Sequence, residues 1–489
     1  MILPSVPFLS ARPVLLAAAL VTTAGAAPDP LAGKWWGQIG SSKERIEVGL
    51  EFIPQPGGAL GVRLTQPVSN YFGVDPGGSV QREGPDRITY APLALELRRD
   101  GDTLVGHFPG PNSAAELKRV RELPVEQPAP RLSAGPEAVW RTRLGGQIYA
   151  TPAVAPDGST LYLGTTGGVF NALASADGVL QWTYSVGRAI HGSAAVTADA
   201  VLFGADDGQL HMLDRSSGKL RWTLRLDDGQ TQRVLPHPAV FDWDWQGATP
   251  LVVDGVVYVG GADGRFHAVD LVTGARRWAF QTGGRIRNGA VLAGTRVVFG
   301  SADHKVYALE IADGREAWRY DTGAEVGATP ILHRERILIG SRSANLYSLK
   351  ADTGELDWRL YFWGSWVEST PVADGDTLYV GSSDLRRVSA IEAATGTVRW
   401  RSDVYGWTWG TPLLVGDRLY AGAAGGSPYF VKHVASFNTL DKATGKLKTR
   451  RPLPDTGGHQ WGIAGSPVRA GDRVVIAQIE GFVAAYPLE

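Results

Sequence analysis

The segment Gly-x-x-x-Trp recurs along the chain, as Gly178 to Trp182, Gly218 to Trp222, Gly274 to Trp278, Gly314 to Trp318, Gly354 to Trp358 and Gly396 to Trp400. Successive tryptophans lie 40, 56, 40, 40 and 42 residues apart, a period in the ~40–50-residue range of four-stranded propeller blades. The one long step marks an insertion. Each unit repeats the same order of short β runs, as in Ala328 to Leu332, Arg336 to Gly340, Asn345 to Leu349 and then Gly354 to Trp358, separated by turn residues. A linear stack of such units would leave a bare sheet edge at each end, and a ring removes both. A seventh unit carries Gly445 to Thr449, with threonine where tryptophan is expected. An eighth supplies Ser466 to Val468, Val474 to Ile476 and Phe482 to Tyr486 but no outer strand. Ala138 to Arg143 matches the missing strand, with Trp140 placed 42 residues before Trp182. The sequence therefore predicts an all-β chain, an eight-bladed β-propeller with tryptophan-docking repeats over residues 137–489, in which 137–143 close the last blade.

The stretch Ala268-Val-Asp270-Leu-Val-Thr273-Gly274-Ala-Arg-Arg-Trp278 fits every named position of Ala-x-Asp-x-x-Thr-Gly-x-x-x-Trp, the docking segment of the pyrroloquinoline-quinone-like (PQQ-like) repeat. Over about residues 137 to 489 the chain resembles that family of eight-bladed propellers. The resemblance implies the fold but two kinds of activity, because the family holds quinoprotein dehydrogenases and non-catalytic envelope proteins of the BamB type.

Ahead of the ring, Ile46, Val48, Leu50 and Phe52 alternate with Glu47, Gly49 and Glu51, the pattern of a half-buried strand. Similar alternation at Leu60 to Leu64, Leu93 to Leu97 and Leu104 to Phe108 predicts a small antiparallel β-sheet or barrel domain over 27–123, with Trp35 and Trp36 as its core and rim. Pro124, Pro128, Pro130 and Pro136 make 124–136 a proline-rich linker. At the start, Arg12, the apolar run Val14 to Val21 and the small residues Ala24 to Ala26 form a signal-peptide pattern over 1–26. The expected protein is periplasmic or secreted, soluble and without a membrane segment after cleavage. The chain has no cysteine, which rules out a disulfide, a thiolate metal site, a covalently attached c-type haem and a lipoprotein anchor. With 48 Lys and Arg against 49 Asp and Glu, no charge excess calls for a nucleic acid partner.

Seven of the sixteen tryptophans fall outside the docking and N-terminal positions: Trp243, Trp245, Trp363, Trp366, Trp407, Trp409 and Trp461. All lie just ahead of the position that opens an innermost strand, namely Thr151, Ser193, Thr249, Gly289, Thr329, Thr370, Thr411 and Ser466. Stepping back two or four residues from that position collects Tyr149, His191, Trp245, Arg285, Arg287, Glu325, Trp366, Glu368, Trp407 and Trp409. Strand alternation puts this set on one side and Ile148, Ile190, Ile286, Val326 and Val367 on the other. With Trp243 and Trp461, these residues are expected to converge on the mouth of the central channel. Two readings fit, a tryptophan plug with charges paired to one another, or a pocket for a small molecule or an envelope protein or peptide. The blade-three insertion adds Asp242 and Asp244 as candidate hard-cation ligands. Asp206-Asp207-Gly208 and Asp263-Gly264 read as hairpin turns.

The leading expectation is a binding or scaffold protein of the envelope. The alternative implied by the resemblance is a quinoprotein dehydrogenase, with PQQ stacked on tryptophan beside a calcium ion. That alternative lacks the vicinal cysteines and haem motif of the well-known alcohol dehydrogenases.

Overall fold

A computed structural model of the chain describes residues 29–41, 43–84, 86–107, 114–230, 233, 244–427 and 432–489. It divides into two compact units, 1–127 and 128–489. The expected signal peptide, Asp242 and Trp243 lie outside the described residues.

The first unit is one curled antiparallel sheet of nine strands: β1 (Gly33–Gly40), β2 (Arg45–Pro54), β3 (Leu60–Gln66), β4 (Tyr71–Val74), β5 (Gln81–Arg82), β6 (Arg87–Tyr90), β7 (Leu95–Asp100), β8 (Thr103–His107) and β9 (Ala114–Val120). Its order is β4-β3-β2-β1-β9-β8-β7-β6-β5, so the first and last strands meet at the centre and the ladder stays open between β4 and β5. Val48, Leu50, Phe52, Leu104 and Leu117 point into its core, and Trp35 is fully buried. The Trp35 Nε1–H donates to the Leu31 carbonyl at 2.9 Å. Gly37 permits the central pairing, because a Cβ there would sit 1.9 Å from the Glu116 carbonyl oxygen.

The second unit is the eight-bladed propeller. Blade one comprises Ala153–Val154, Thr160–Gly164, Val169–Ala174 and Leu180–Ser185, and the next six blades repeat that meander up to Leu447–Pro452. Blade eight takes Val468–Ala470, Arg473–Ala477 and Phe482–Pro487 from the C-terminal end and its outer strand, Trp140–Arg143, from the N-terminal side. Trp140 lies opposite Ala485 and Arg143 opposite Phe482.

The recurring glycine and tryptophan have one physical cause. Each tryptophan lies on the glycine of the following blade, Trp140 on Gly178, Trp182 on Gly218, and so on to Trp400 on Gly445. Those glycines adopt φ near +70°, and a Cβ would meet the indole at 2.4–2.8 Å. The indole N–H then donates to a carbonyl of the same turn, as from Trp182 to Arg215 at 3.1 Å and from Trp278 to Ile311 at 3.0 Å. Thr449 breaks the series because the blade that follows it receives its outer strand from elsewhere. Blade eight has no hairpin between its third and outer strands, hence no glycine socket for a tryptophan to fill.

Candidate functional site

Among the eight residues that open the innermost strands, four backbone N–H groups donate to the hydroxyl of the corresponding residue in the next blade. The Thr151 N–H donates to Ser193 Oγ at 3.0 Å, Gly289 to Thr329 Oγ1 at 2.9 Å and Thr411 to Ser466 Oγ at 2.9 Å. Ser466 donates to Thr151 Oγ1 at 2.9 Å, which joins the last blade to the first. All eight line a central cavity of about 110 Å³ together with Tyr149, His191, Trp245, Arg287, Glu368 and Trp409.

The aromatic members pack on one another in a row across the channel. Ring centroids lie 5.5 Å apart for His191 and Tyr149, 6.0 Å for Tyr149 and Trp245, 5.1 Å for Trp245 and Trp409, and 4.9 Å for Trp409 and Trp407. His433 ends the row, 4.2 Å from Trp407. Trp407 Nε1–H donates to Asp384 Oδ1 at 3.0 Å and Trp409 Nε1–H to Ser383 Oγ at 3.4 Å. Burial pushes the Tyr149 phenol up to about 12 and, with the charge of Arg233, the His191 imidazole down to about 3. A neutral His191 therefore donates its Nδ1–H to the Trp245 carbonyl at 2.9 Å.

The charged members form a chain of alternating sign. Arg233 meets Asp206 at 2.6 Å and Asp244 at 3.4 Å, and Asp244 meets Arg287 at 3.1 Å. Arg285 meets Glu325 at 3.2 Å, and Arg342 bridges Glu325 and Glu368 at 2.9 and 3.0 Å. Burial holds the Arg287 guanidinium below the usual arginine range. The Arg342 guanidinium also lies 4.4 Å over the Trp366 ring.

Of the residues singled out from sequence, Trp461 stands apart. It belongs to a short strand, Gln460–Gly462, paired with Ala424–Gly426, and packs with Tyr420, Phe437 and Tyr486 between blades seven and eight. Arg233, Arg342 and Asp206 were missed. Asp206 and Arg342 occupy turns between second and third strands, which open on the same face as the inner-strand starts. Asp206 was read only as turn chemistry, and it holds Arg233.

PQQ with calcium does not fit these residues. The cavity is well below the ~300–1,000 Å³ of small-molecule sites, and the tryptophan faces that a quinone would need are stacked on other rings. Asp244, Glu325 and Glu368 are each committed to arginines, and among the described residues no group of three His, Asp or Glu side chains could hold a metal ion.

The family profile described as outer membrane protein assembly factor BamB, a PQQ-repeat family, matches residues 133–235, 175–331, 236–362 and 323–489. The chain is 31% identical over 152 residues to outer membrane protein assembly factor BamB of Yersinia pestis, covering 30% of this chain and 37% of that protein. It is 30% identical over 138 residues to the Vibrio cholerae protein of the same name, covering 27% and 34%. The chain thus spans little more than a third of the length of the curated relatives it matches. Among solved structures, BamB from Moraxella catarrhalis superposes with a TM-score of 0.54 at 19% identity, over 72% of this chain and 98% of that one. Quinohemoprotein alcohol dehydrogenase from Comamonas testosteroni superposes with 0.55 at 15% identity, over 73% and 78%. At those identities the two superpositions show a shared fold.

Proposed function

The chain belongs to the PQQ-repeat propeller family described as outer membrane protein assembly factor BamB, and from that premise we propose that it is a non-catalytic scaffold of the cell envelope that holds a protein or peptide partner at the channel mouth. The observation that carries this reading is a set of polar atoms left over when the ion chain is complete. Trp245 Nε1, Asn288 Oδ1 and Glu368 Oε2 are buried without a hydrogen-bond partner, and all three residues line the same cavity. Buried polar atoms are normally satisfied, and one donor beside two acceptors suits the amide tip of an inserted side chain. A volume of about 110 Å³ accommodates such a tip. The leader pattern of residues 1–26 gives the route to the envelope that this role requires. No helix among the described residues is long and apolar enough to cross a membrane.

The test is crosslinking in cells from two faces of the ring. A photoreactive residue replaces exposed Gln147, two residues before the cavity-lining Tyr149, or Val272, which is 82% exposed on the hairpin between the third and outer strands of blade three. Adducts of defined mass from position 147 alone, reduced by Glu368→Gln or Trp245→Phe, support the reading. Adducts only from position 272, or from neither, overturn it.

A further inference from the structure

A second group of charges stands outside the channel, between blades six and seven. Arg386, Arg387, Arg401 and Arg450 gather near Asp403 and Tyr405. Asp403 Oδ2 lies 3.2 Å from Arg386 Nη2 and 3.8 Å from Arg387 Nη2. Arg401 donates to Ser389 Oγ at 2.8 Å and covers the Phe362 ring at 4.3 Å.

Arg450 is the key member of this cluster. It is only 6% exposed, and its Nε and Nη2 reach no acceptor. Its guanidinium lies 5.3 Å from the centre of the Tyr405 ring, and that of Arg386 lies 5.8 Å from the same ring. Tyr405 is held there in a left-handed conformation, φ +67°, by its N–H bond to Asp403 Oδ1 at 2.7 Å. A buried guanidinium with two nitrogens lacking an acceptor is a costly arrangement for a fold to hold. Water would supply lone pairs but leave the charge, whereas an oxyanion supplies both, and the arginine fork matches oxyanion geometry. The cluster reaches solvent, since Arg387 and Asp403 each keep 16% of their side chains exposed.

We propose that this cluster binds a dianionic oxyanion of the phosphate class, with Arg450 as its principal ligand and Arg386 and Arg387 beside it. The probe is inorganic phosphate, added to the full chain at constant ionic strength set with chloride, with ³¹P line broadening and the melting temperature as readouts. Wild type should broaden the phosphate signal and gain melting temperature saturably. Arg450→Met should lose affinity at least tenfold while unfolding no earlier than wild type in chloride, because it sheds an uncompensated charge. A second arm uses phosphatidylcholine vesicles with and without phosphatidic acid. Capture that free phosphate competes away identifies a lipid headgroup as the source, and phosphate binding without capture identifies the free anion. The proposal falls if wild type gives no phosphate response, or if Arg450→Met responds as wild type does. If Arg450→Met does not fold, Arg387→Met takes its place, with the same loss of affinity required.

Discussion

Gly314→Ala tests the docking of tryptophan on glycine in a way that separates two costs. Gly314 has φ +74°, and a Cβ there would lie 2.6 and 2.7 Å from ring atoms of Trp278. Alanine in the left-handed region costs roughly 1–2 kcal/mol, and forcing a methyl into a packed contact costs about 1–3 kcal/mol more. The expected loss is about 2–5 kcal/mol. Gly323→Ala is the control, because Gly323 has φ +79° with nothing within 4 Å of its Cβ position, so only the backbone cost of roughly 1–2 kcal/mol applies. Replacing Trp278 by leucine as well should return part of the Gly314→Ala loss, a coupling of about 0.5–3 kcal/mol. Urea unfolding followed by tryptophan fluorescence measures wild type, the three single variants and the double variant. Equal losses for Gly314→Ala and Gly323→Ala, or strict additivity with Trp278→Leu, would refute the socket.

Two further outcomes follow from the channel. Arg342→Met strands Glu368, which has 1% of its side chain exposed, and leaves Glu325 to Arg285; it should cost ~3–5 kcal/mol in the same urea assay, and a loss under 1 kcal/mol would mean that water already screens Glu368. The buried His191, held near 3 in the folded state against 6.5 unfolded, gives the unfolded chain the extra proton between those values, so stability must fall as pH drops through that window, at up to about 1.4 kcal/mol per pH unit. His191→Gln should flatten that slope, and an unchanged slope would remove His191 as its cause.

The ring was legible because its defining contact is written locally and repeatedly. A glycine four residues before each tryptophan records a turn that receives the neighbouring blade's indole, so one blade's chemistry appears in every repeat. Thr449 looked like a lapse in the pattern, and only the blade-to-blade direction of docking explains it. The channel residues were legible as a layer, because strand alternation sorts Tyr149, Trp245 and Trp409 from Ile148 and Ile286. Their pairing was not. Arg233, Arg342 and Asp206 lie outside the inner-strand starts, and no periodicity links Asp206 to an arginine on the blade-three insertion. In the N-terminal sheet, alternation marked the strands, whereas the pairing of β1 with β9 joins segments that no local pattern relates. The Arg450 cluster gave no sequence signal, since its members come from different strands.

The shared last blade also sets an order of events in folding. Ser466 donates to a hydroxyl 315 residues away along the chain, so the final contacts wait until nearly the whole chain is available. The entropy of closing so long a loop rises only slowly, by about 0.6 kcal/mol for each doubling of length, and the delay is one of time more than of stability. Until then, Trp140 has no third strand of blade eight to hold it against Gly178, and the eighth blade, once made, has an open edge. A second chain emerging nearby could supply its own Trp140–Arg143 strand to that edge, so this seam is where crowded synthesis would exchange strands between copies.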